Sequence, residues 1–311
     1  MVRLPVVRIV ALALLLAGLA RPGLAQAPTF AARSDLVVVS ATAVDRDGRP
    51  IRDLAKEELR VFDEGRPQRI LHFSTARDAP ARVLLLVDAS GSMDGQLKTA
   101  SSQMAALQLI AALDAPDEVA LAGFDSRYLG VVRFTRDREA IQQGFKELTP
   151  WGPTALHDAL DQASSDLASH GEGRRAVVVI TDGIDTASTK TPDEVIARSR
   201  ALDVPIYAVS VLSPLDDPRS PLFAGRVRTA VATAGSVLLA RYAHMSGGAA
   251  FAVSDFKGLK AAADKISGEL KHQYRLGYDP PAGPPHFRRI EVRSTRKGVV
   301  IRTRSGYMPP S

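Results

Sequence analysis

The chain has 311 residues, of which 45% are hydrophobic and 24% charged, as in an ordinary globular protein. Its 40 Lys and Arg residues against 34 Asp and Glu residues give a formal charge of +6. Three of those arginines lie in the first 25 residues, and without them 37 basic residues oppose 34 acidic ones. This small excess argues against a nucleic-acid-binding protein, and the absence of cysteine excludes disulfides, zinc–thiolate sites and a cysteine nucleophile.

Residues 1–25 have the pattern of a secretory signal peptide. Arg3 and Arg8 form a basic start, residues 9–20 are an apolar core, and small residues precede a cleavage point after Ala25. Because this core is shorter than the ~18 residues of a membrane span, an uncleaved anchor is the less favoured alternative. We therefore expect an exported protein, periplasmic or secreted, with no membrane span in the mature chain.

Residues 34–80 predict the N-terminal part of a small β-module. Residues 36–44 are a strand candidate, and residues 59–62 and 68–73 form a hairpin pattern around the turn at residues 63–65. Three strands are too few to be stable alone, so we expect them to pair with strands elsewhere in the chain.

Between residues 81 and 273, predicted strands and helices alternate. The strand candidates are residues 83–88, 118–124, 129–134, 176–180, 206–212 and 249–253. Segment 129–134 follows its neighbour after a short turn, which predicts an antiparallel hairpin at one sheet edge. The alternation predicts an α/β fold with a doubly wound, mostly parallel sheet and helices on both of its faces.

Polar residues follow the buried strands of this region. Two strands end in an aspartate, Asp88 and Asp182, and a predicted helix begins just after Thr154. Ser90 and Ser92 follow Asp88, and the three loops should emerge at the same edge of a parallel sheet. Two carboxylates and three hydroxyls supply the oxygen ligands that Mg²⁺ prefers. For the first loop alone, a helix N-cap is an equally good interpretation.

The segments DASGSM, PTALHDAL and VVVITDG resemble the three loops of a von Willebrand factor type A domain with a metal-ion-dependent adhesion site. The resemblance implies that the metal, Mg²⁺ or else Mn²⁺ or Ca²⁺, is held directly or through water. The implied metal ligands are Asp88, Ser90, Ser92, Thr154 and Asp182. Pro153 departs from the family, which often has glycine there, but it removes no oxygen ligand. The resemblance also implies a non-catalytic function, in which an acidic residue of another protein completes the metal coordination.

The C-terminal segment also resembles a known family. The N-terminal hairpin, the segment YRLGYDP and the final residues FRRIEVRSTRKGVVIRTRSGYMPP are similar to exported bacterial VWFA-related proteins. Residues 287–293 and 299–304 alternate as strands around the turn at residues 296–298. We expect residues 274–311 to pair with the N-terminal strands and complete the β-module, which would make the two ends of the mature chain neighbours.

Other functions stay open as alternatives. The sequence has no G-x-S-x-G elbow, phosphate-binding loop or H-E-x-x-H helix. A metal-assisted hydrolase would have to use His157, which we expect at the rim of the site, and a structural module with a vestigial metal site is a further alternative. Asp94 and Asp185 are expected to form turns or to support the metal ligands. Residues 213–226 either help to select the partner or form a passive surface loop.

Overall fold

The computed structural model describes residues 36–75, 80–93, 96–171, 173–211, 226–283 and 285–309. The expected signal peptide, Asp94 and all but the last residue of segment 213–226 lie outside this part of the chain. None of the helices in the described ranges is long and apolar enough to cross a membrane.

The described residues form fourteen strands and six α-helices. The strands are β1 (Val37–Val44), β2 (Leu59–Asp63), β3 (Arg66–Gln68), β4 (His72–Thr75), β5 (Ala81–Asp88), β6 (Glu118–Phe124), β7 (Tyr128–Thr135), β8 (Arg174–Thr181), β9 (Ile206–Val211), β10 (Ala250–Val253), β11 (Tyr274–Tyr278), β12 (Arg288–Ser294), β13 (Val300–Thr303) and β14 (Gly306–Tyr307). The helices are α1 (Gln96–Ala112), α2 (Arg138–Gly144), α3 (Leu156–Ser169), α4 (Pro192–Leu202), α5 (Arg226–Ser246) and α6 (Phe256–Lys271).

Strands β5 to β10 form the central sheet, in the order β10-β9-β8-β5-β6-β7. Neighbouring strands are parallel except β7, which is antiparallel to β6 at one edge. One face packs against α1, α2 and α6, and the other against α3, α4 and α5. Because both faces are covered, the inner strands contain unbroken apolar runs, such as residues 83–87 of β5 and 176–180 of β8. The predicted doubly wound α/β fold and its edge hairpin are confirmed.

The remaining strands form two antiparallel sheets that share one apolar core, which we call the β-module. Their orders are β13-β1-β11-β4 and β14-β12-β2-β3. Strands from before and after the central sheet pair directly, with Val39 opposite Leu276 and Val61 opposite Val292. The expected pairing of the N-terminal strands with strands that follow the central sheet is therefore present in the fold.

The β-module differs from the sequence-based expectation in how its strands are divided. The single strand predicted at residues 68–73 is wrong, because β3 pairs with β2 whereas β4 pairs with β11 in the other sheet. The chain crosses between the sheets at residues 69–71, where Ile70 enters the core. Likewise β12 and β13, predicted around one turn, lie in different sheets, and each pairs with an N-terminal strand.

The core of the β-module contains a buried ion pair. Asp63, at the end of β2, is fully buried and accepts a hydrogen bond of 2.7 Å from Arg288 Nε. The hydroxyls of Tyr278 and Tyr307 each donate to its other oxygen at 2.9 Å. Arg288 also donates to the carbonyl of Pro281 at 3.0 Å. The buried carboxylate thus has a charged partner and neutral donors, as a buried ion pair requires.

Candidate metal centre

The carboxyl ends of β5 and β8 lie side by side in the middle of the central sheet. The strands that follow β5 in the chain, β6 and β7, lie on one side of it, whereas β8 to β10 lie on the other. The winding of the chain therefore reverses between β5 and β8, and open α/β sheets bind ligands just outside such a point. Asp88 is the last residue of β5, and Asp182 follows the last residue of β8.

Asp88 is buried, and its two oxygens tie the ends of these strands together. Its Oδ1 accepts a hydrogen bond from the backbone N–H of Ser90 at 2.9 Å. Its Oδ2 accepts one from the hydroxyl of Thr181 at 2.6 Å, and that hydroxyl accepts from the N–H of Gly183 at 3.0 Å. Ser90 is fully buried, and its hydroxyl also bonds to Asp88.

The environment of Asp88 is unfavourable for its negative charge. Burial raises the pKa of this carboxyl to about 6, and the nearby charge of Asp182 adds to the increase. Hydrogen bonds from Ser90 and Thr181 act in the other direction and lower this pKa. Among the side chains that the structure describes, no Lys or Arg pairs with Asp88, so its known hydrogen-bond donors are neutral.

We call the segments that follow β5, precede α3 and follow β8 the first, second and third loops. Thr154, in the second loop, is held between the third loop and the end of β6. Its backbone N–H donates to the hydroxyl of Thr186 at 2.9 Å. Its carbonyl accepts hydrogen bonds from the backbone N–H groups of Thr186 and Ala187, at 2.9 and 3.0 Å. The next residue, Ala155, donates to the carbonyl of Asp125 at 2.7 Å. Thr154 is 2% exposed, and its backbone is fixed within this framework.

Backbone hydrogen bonds also join the first loop to the second. The N–H of Trp151 donates to the carbonyl of Ala89 at 2.9 Å, and the N–H of Gly91 donates to the carbonyl of Gly152 at 2.8 Å. Gly152 has φ +72°, a conformation that favours glycine. The three loops are therefore one hydrogen-bonded unit.

The predicted ligands lie on these three loops. Asp88, Ser90, Thr154 and Asp182 are each less than 9% exposed. Ser92 lies in the single turn Gly91–Met93, and its side chain is outside the described part of the structure. Within the described ranges, no three His, Cys, Asp or Glu side chains are grouped as metal ligands. The candidate site instead combines two carboxylates with hydroxyls, an all-oxygen set whose chemistry fits a hard divalent cation.

His157 lies in a helix, as expected, and it is buried in the first turn of α3. Burial lowers the pKa of its imidazole, and the charge of Asp185 opposes this. Its Nδ1 lies 3.0 Å from Asp185 Oδ2 but outside hydrogen-bond geometry. Asp185 accepts hydrogen bonds from the hydroxyl of Ser188 at 2.5 Å and from the backbone N–H of His157 at 3.3 Å. Asp185 therefore shapes the third loop and caps α3.

Three residues that sequence reasoning missed also shape the site. The hydroxyls of Thr181 and Thr186 bond to the first and second loops, and Gly235 of α5 packs against the third. A Cβ on Gly235 would lie 2.7 Å from the carbonyl oxygen of Asp182, so helix and loop touch backbone to backbone. Thr181 could have been found, because it ends the apolar run before Asp182. Gly235 gives no such signal, since it is distant in sequence from every loop.

Comparison with known proteins agrees with this architecture. Residues 83–184 match the model of the von Willebrand factor type A domain. An uncharacterized protein of Synechocystis sp. is 34% identical over 135 residues, which are 39% of this chain and 32% of that protein. The match thus spans about a third of the length of this curated relative.

A solved structure shows the same fold at low sequence identity. The von Willebrand factor type A protein from Catenulispora acidiphila superposes with a TM-score of 0.50 at 12% identity, covering 86% of this chain and 71% of that one. The conserved hypothetical protein BatB from Bacteroides thetaiotaomicron gives a TM-score of 0.48 at 18% identity, covering 61% and 99%.

Proposed function

We propose that this chain, which contains a von Willebrand factor type A domain, binds another protein through a divalent cation and does not catalyse a reaction. Domains of this type are generally protein-interaction modules. In our proposal the cation is Mg²⁺, or Mn²⁺ or Ca²⁺, and an acidic residue of the partner completes its coordination. The proposed ligands are Asp88, Ser90, Ser92, Thr154 and Asp182.

The observation that carries the proposal is the buried charge of Asp88. A carboxylate that is 4% exposed costs free energy unless a positive charge compensates it, and Asp182 brings a second negative charge close. No Lys or Arg side chain that the structure describes pairs with Asp88. A divalent cation would balance both carboxylates, which supports a metal site at this edge.

The hydrogen-bonded loops support a binding function in a second way. When bound, the cation would supply an open coordination position for a carboxylate oxygen from outside. Ser90 and Thr154 would offer neutral hydroxyls, which leave the cation enough positive charge to attract that carboxylate. Because the backbone bonds already fix the three loops, little conformational entropy should be lost when the partner binds.

The location and organisation of the chain are part of the proposal. We propose that residues 1–25 direct export and that the protein acts in the periplasm or after secretion. We place the metal-binding domain at residues 81–273. The β-module would then comprise residues 34–80 and 274–311.

Calorimetric titration of Mg²⁺ and Mn²⁺ into the mature chain tests the metal site. We expect binding by the wild type and none by Asp88→Ala or Asp182→Ala. Asp264→Ala, on the outer face of α6 with a side chain 55% exposed, is the matched control and should bind as the wild type does. A wild type that binds neither cation, or an Asp88→Ala variant that binds normally, would contradict the proposal.

The hydrolase alternative receives no support from the position of His157. Its imidazole is buried among α3 and the third loop, and its ring lies edge-on to Tyr242 with centroids 6.0 Å apart. Hydrolysis of phosphate or ester substrates by the purified protein in Mg²⁺, lost in His157→Ala, would nevertheless establish that alternative.

A further inference from the structure

Trp151 is the only tryptophan of the chain, and it lies in the second loop of the candidate metal centre. Its side chain is 73% exposed, more than any other large hydrophobic side chain in the described part of the structure. The buried Thr154 is three residues away, so their Cα atoms are within about 11 Å of each other. A large apolar surface is therefore presented to solvent within about 11 Å, Cα to Cα, of the proposed ligand Thr154.

The backbone under this side chain is fixed. The N–H of Trp151 bonds to the carbonyl of Ala89, and the next residue, Gly152, bonds through its carbonyl to Gly91. Pro150 and Pro153, on either side, restrict the chain further because their rings lock φ. The backbone that carries the indole is thus held in place and does not have to be ordered when a partner binds.

We propose that Trp151 selects the partner of the metal centre. The partner segment would carry a carboxylate for the cation and, a few residues away, an aliphatic or aromatic side chain that packs on the indole ring. This inference rests on the proposed function and adds the chemistry of the partner. Tryptophan is suited to this role, because rigid aromatic side chains dominate the binding energy of many interfaces.

The surroundings of Trp151 favour an apolar contact over a cationic one. Residues 148–156 contain no charged side chain, so an arginine stacked on the indole would find no acidic partner within this loop. Burial of the ring against an apolar side chain needs no such partner.

The test uses the mature chain labelled with ¹⁵N, since a single tryptophan gives a single indole N–H resonance. Three capped pentapeptides are titrated at saturating Mg²⁺: Gly-Gly-Asp-Gly-Gly, Gly-Gly-Asp-Gly-Leu and Gly-Gly-Asp-Gly-Arg. We expect the indole resonance to shift with the leucine peptide, which should bind at least about tenfold more tightly than the all-glycine one. Trp151→Ala has no indole, so its peptide binding is followed through the backbone amide resonances; it should abolish this preference and leave the Mg²⁺ affinity unchanged.

A control and several outcomes make the test decisive. Phe256→Ala removes another exposed aromatic side chain, 55% exposed at the start of α6, and should keep the preference. Equal binding of the glycine and leucine peptides, a preference that persists in Trp151→Ala, or tighter binding of the arginine peptide would each overturn the inference. If Mg²⁺ and the glycine peptide bind but leucine adds nothing, the proposed function stands and this inference alone fails. If the wild type binds no Mg²⁺, both fail.

Discussion

Asp63 and Asp88 are both buried carboxylates at the last position of a strand, but the chain surrounds them differently. In the β-module, Asp63 bonds to the guanidinium of Arg288 and to two tyrosine hydroxyls. In the central sheet, Asp88 bonds to donors of Ser90 and Thr181, which are neutral. The first aspartate has its counter-charge within the fold, whereas the second has none among the described side chains.

This difference separates a structural polar cluster from the proposed binding site. A buried ion pair with complete hydrogen bonds belongs to the core, and removing one member leaves the other charge unpaired. A buried carboxylate without a counter-charge reduces stability, and the fold keeps it only if something else compensates. We infer that the compensation at Asp88 comes from a ligand, and the four predictions below test that contrast.

The largest expected loss of stability comes from breaking the ion pair between Asp63 and Arg288. Asp63→Asn leaves the charge of Arg288 buried and unpaired, so the free energy of unfolding should fall by about 3–5 kcal/mol. Urea denaturation measures this. Asp264→Asn, which alters an exposed pair with Lys260, should change it by less than about 0.5 kcal/mol. A loss below about 1 kcal/mol in Asp63→Asn would remove the contrast between the two aspartates.

Replacing Asp88 should have the opposite effect and raise the free energy of unfolding of the metal-free protein. Its pKa is about 6 in the folded chain against an ordinary value of 3.8, so the folded state binds the proton more tightly than the unfolded state does. Without metal, this group therefore lowers stability progressively as pH rises from about 4 to 6, by up to about 3 kcal/mol. Asp88→Asn should be more stable than the metal-free wild type at pH 7.

The pH dependence provides the control for this prediction. At pH 4 the wild-type carboxyl is largely protonated when folded, so the stability advantage of Asp88→Asn should be close to zero and should grow toward pH 7. Mg²⁺ should stabilise the wild type, by about 2.7 kcal/mol at a concentration one hundred times its Kd, and should not stabilise Asp88→Asn. An Asp88→Asn variant less stable than the wild type at pH 7 in chelator would refute the assignment of Asp88 as an uncompensated charge.

A smaller effect is expected where α5 meets the third loop. Gly235→Ala places a Cβ 2.7 Å from the carbonyl oxygen of Asp182, so loop or helix must move. We expect a loss of about 1–3 kcal/mol in stability and a Mg²⁺ affinity at least about tenfold lower. Gly268→Ala in α6, whose Cβ would meet only a side-chain atom of Pro50 at 3.3 Å, is the control for helix propensity. Unchanged Mg²⁺ affinity in Gly235→Ala would show that α5 does not position Asp182.

The smallest effect should come from the hydroxyl that joins the second and third loops. Thr186→Val removes the acceptor of the Thr154 N–H bond and should cost about 1 kcal/mol of stability. Mg²⁺ affinity should fall with it, because Thr154 is then less firmly placed. Thr189→Val, which removes a hydroxyl bonded to the exposed side of Asp158, should leave the Mg²⁺ affinity unchanged. Equal Mg²⁺ affinities in the two variants would argue against a role for Thr186.

Much of the candidate site could be predicted from the sequence. Asp88 and Asp182 follow unbroken apolar runs, and such runs indicate strands buried in a parallel sheet, whose carboxyl ends share one edge. That rule places both aspartates and Thr154 on neighbouring loops without any knowledge of contacts. It does not give the bonds from Thr181 and Thr186, or the burial of His157, because these depend on how the loops fold against each other.

The same division holds for the fold as a whole. Apolar periodicity and turn residues determined the strands and helices of the doubly wound sheet, because both patterns reflect the environment of each residue and its near neighbours. Only the tertiary structure decided that the β-module has two sheets, that Asp63 meets Arg288 across 225 residues, and that Gly235 touches Asp182. A sequence pattern records that a residue is buried, whereas its partner is set by which distant strand or helix packs beside it.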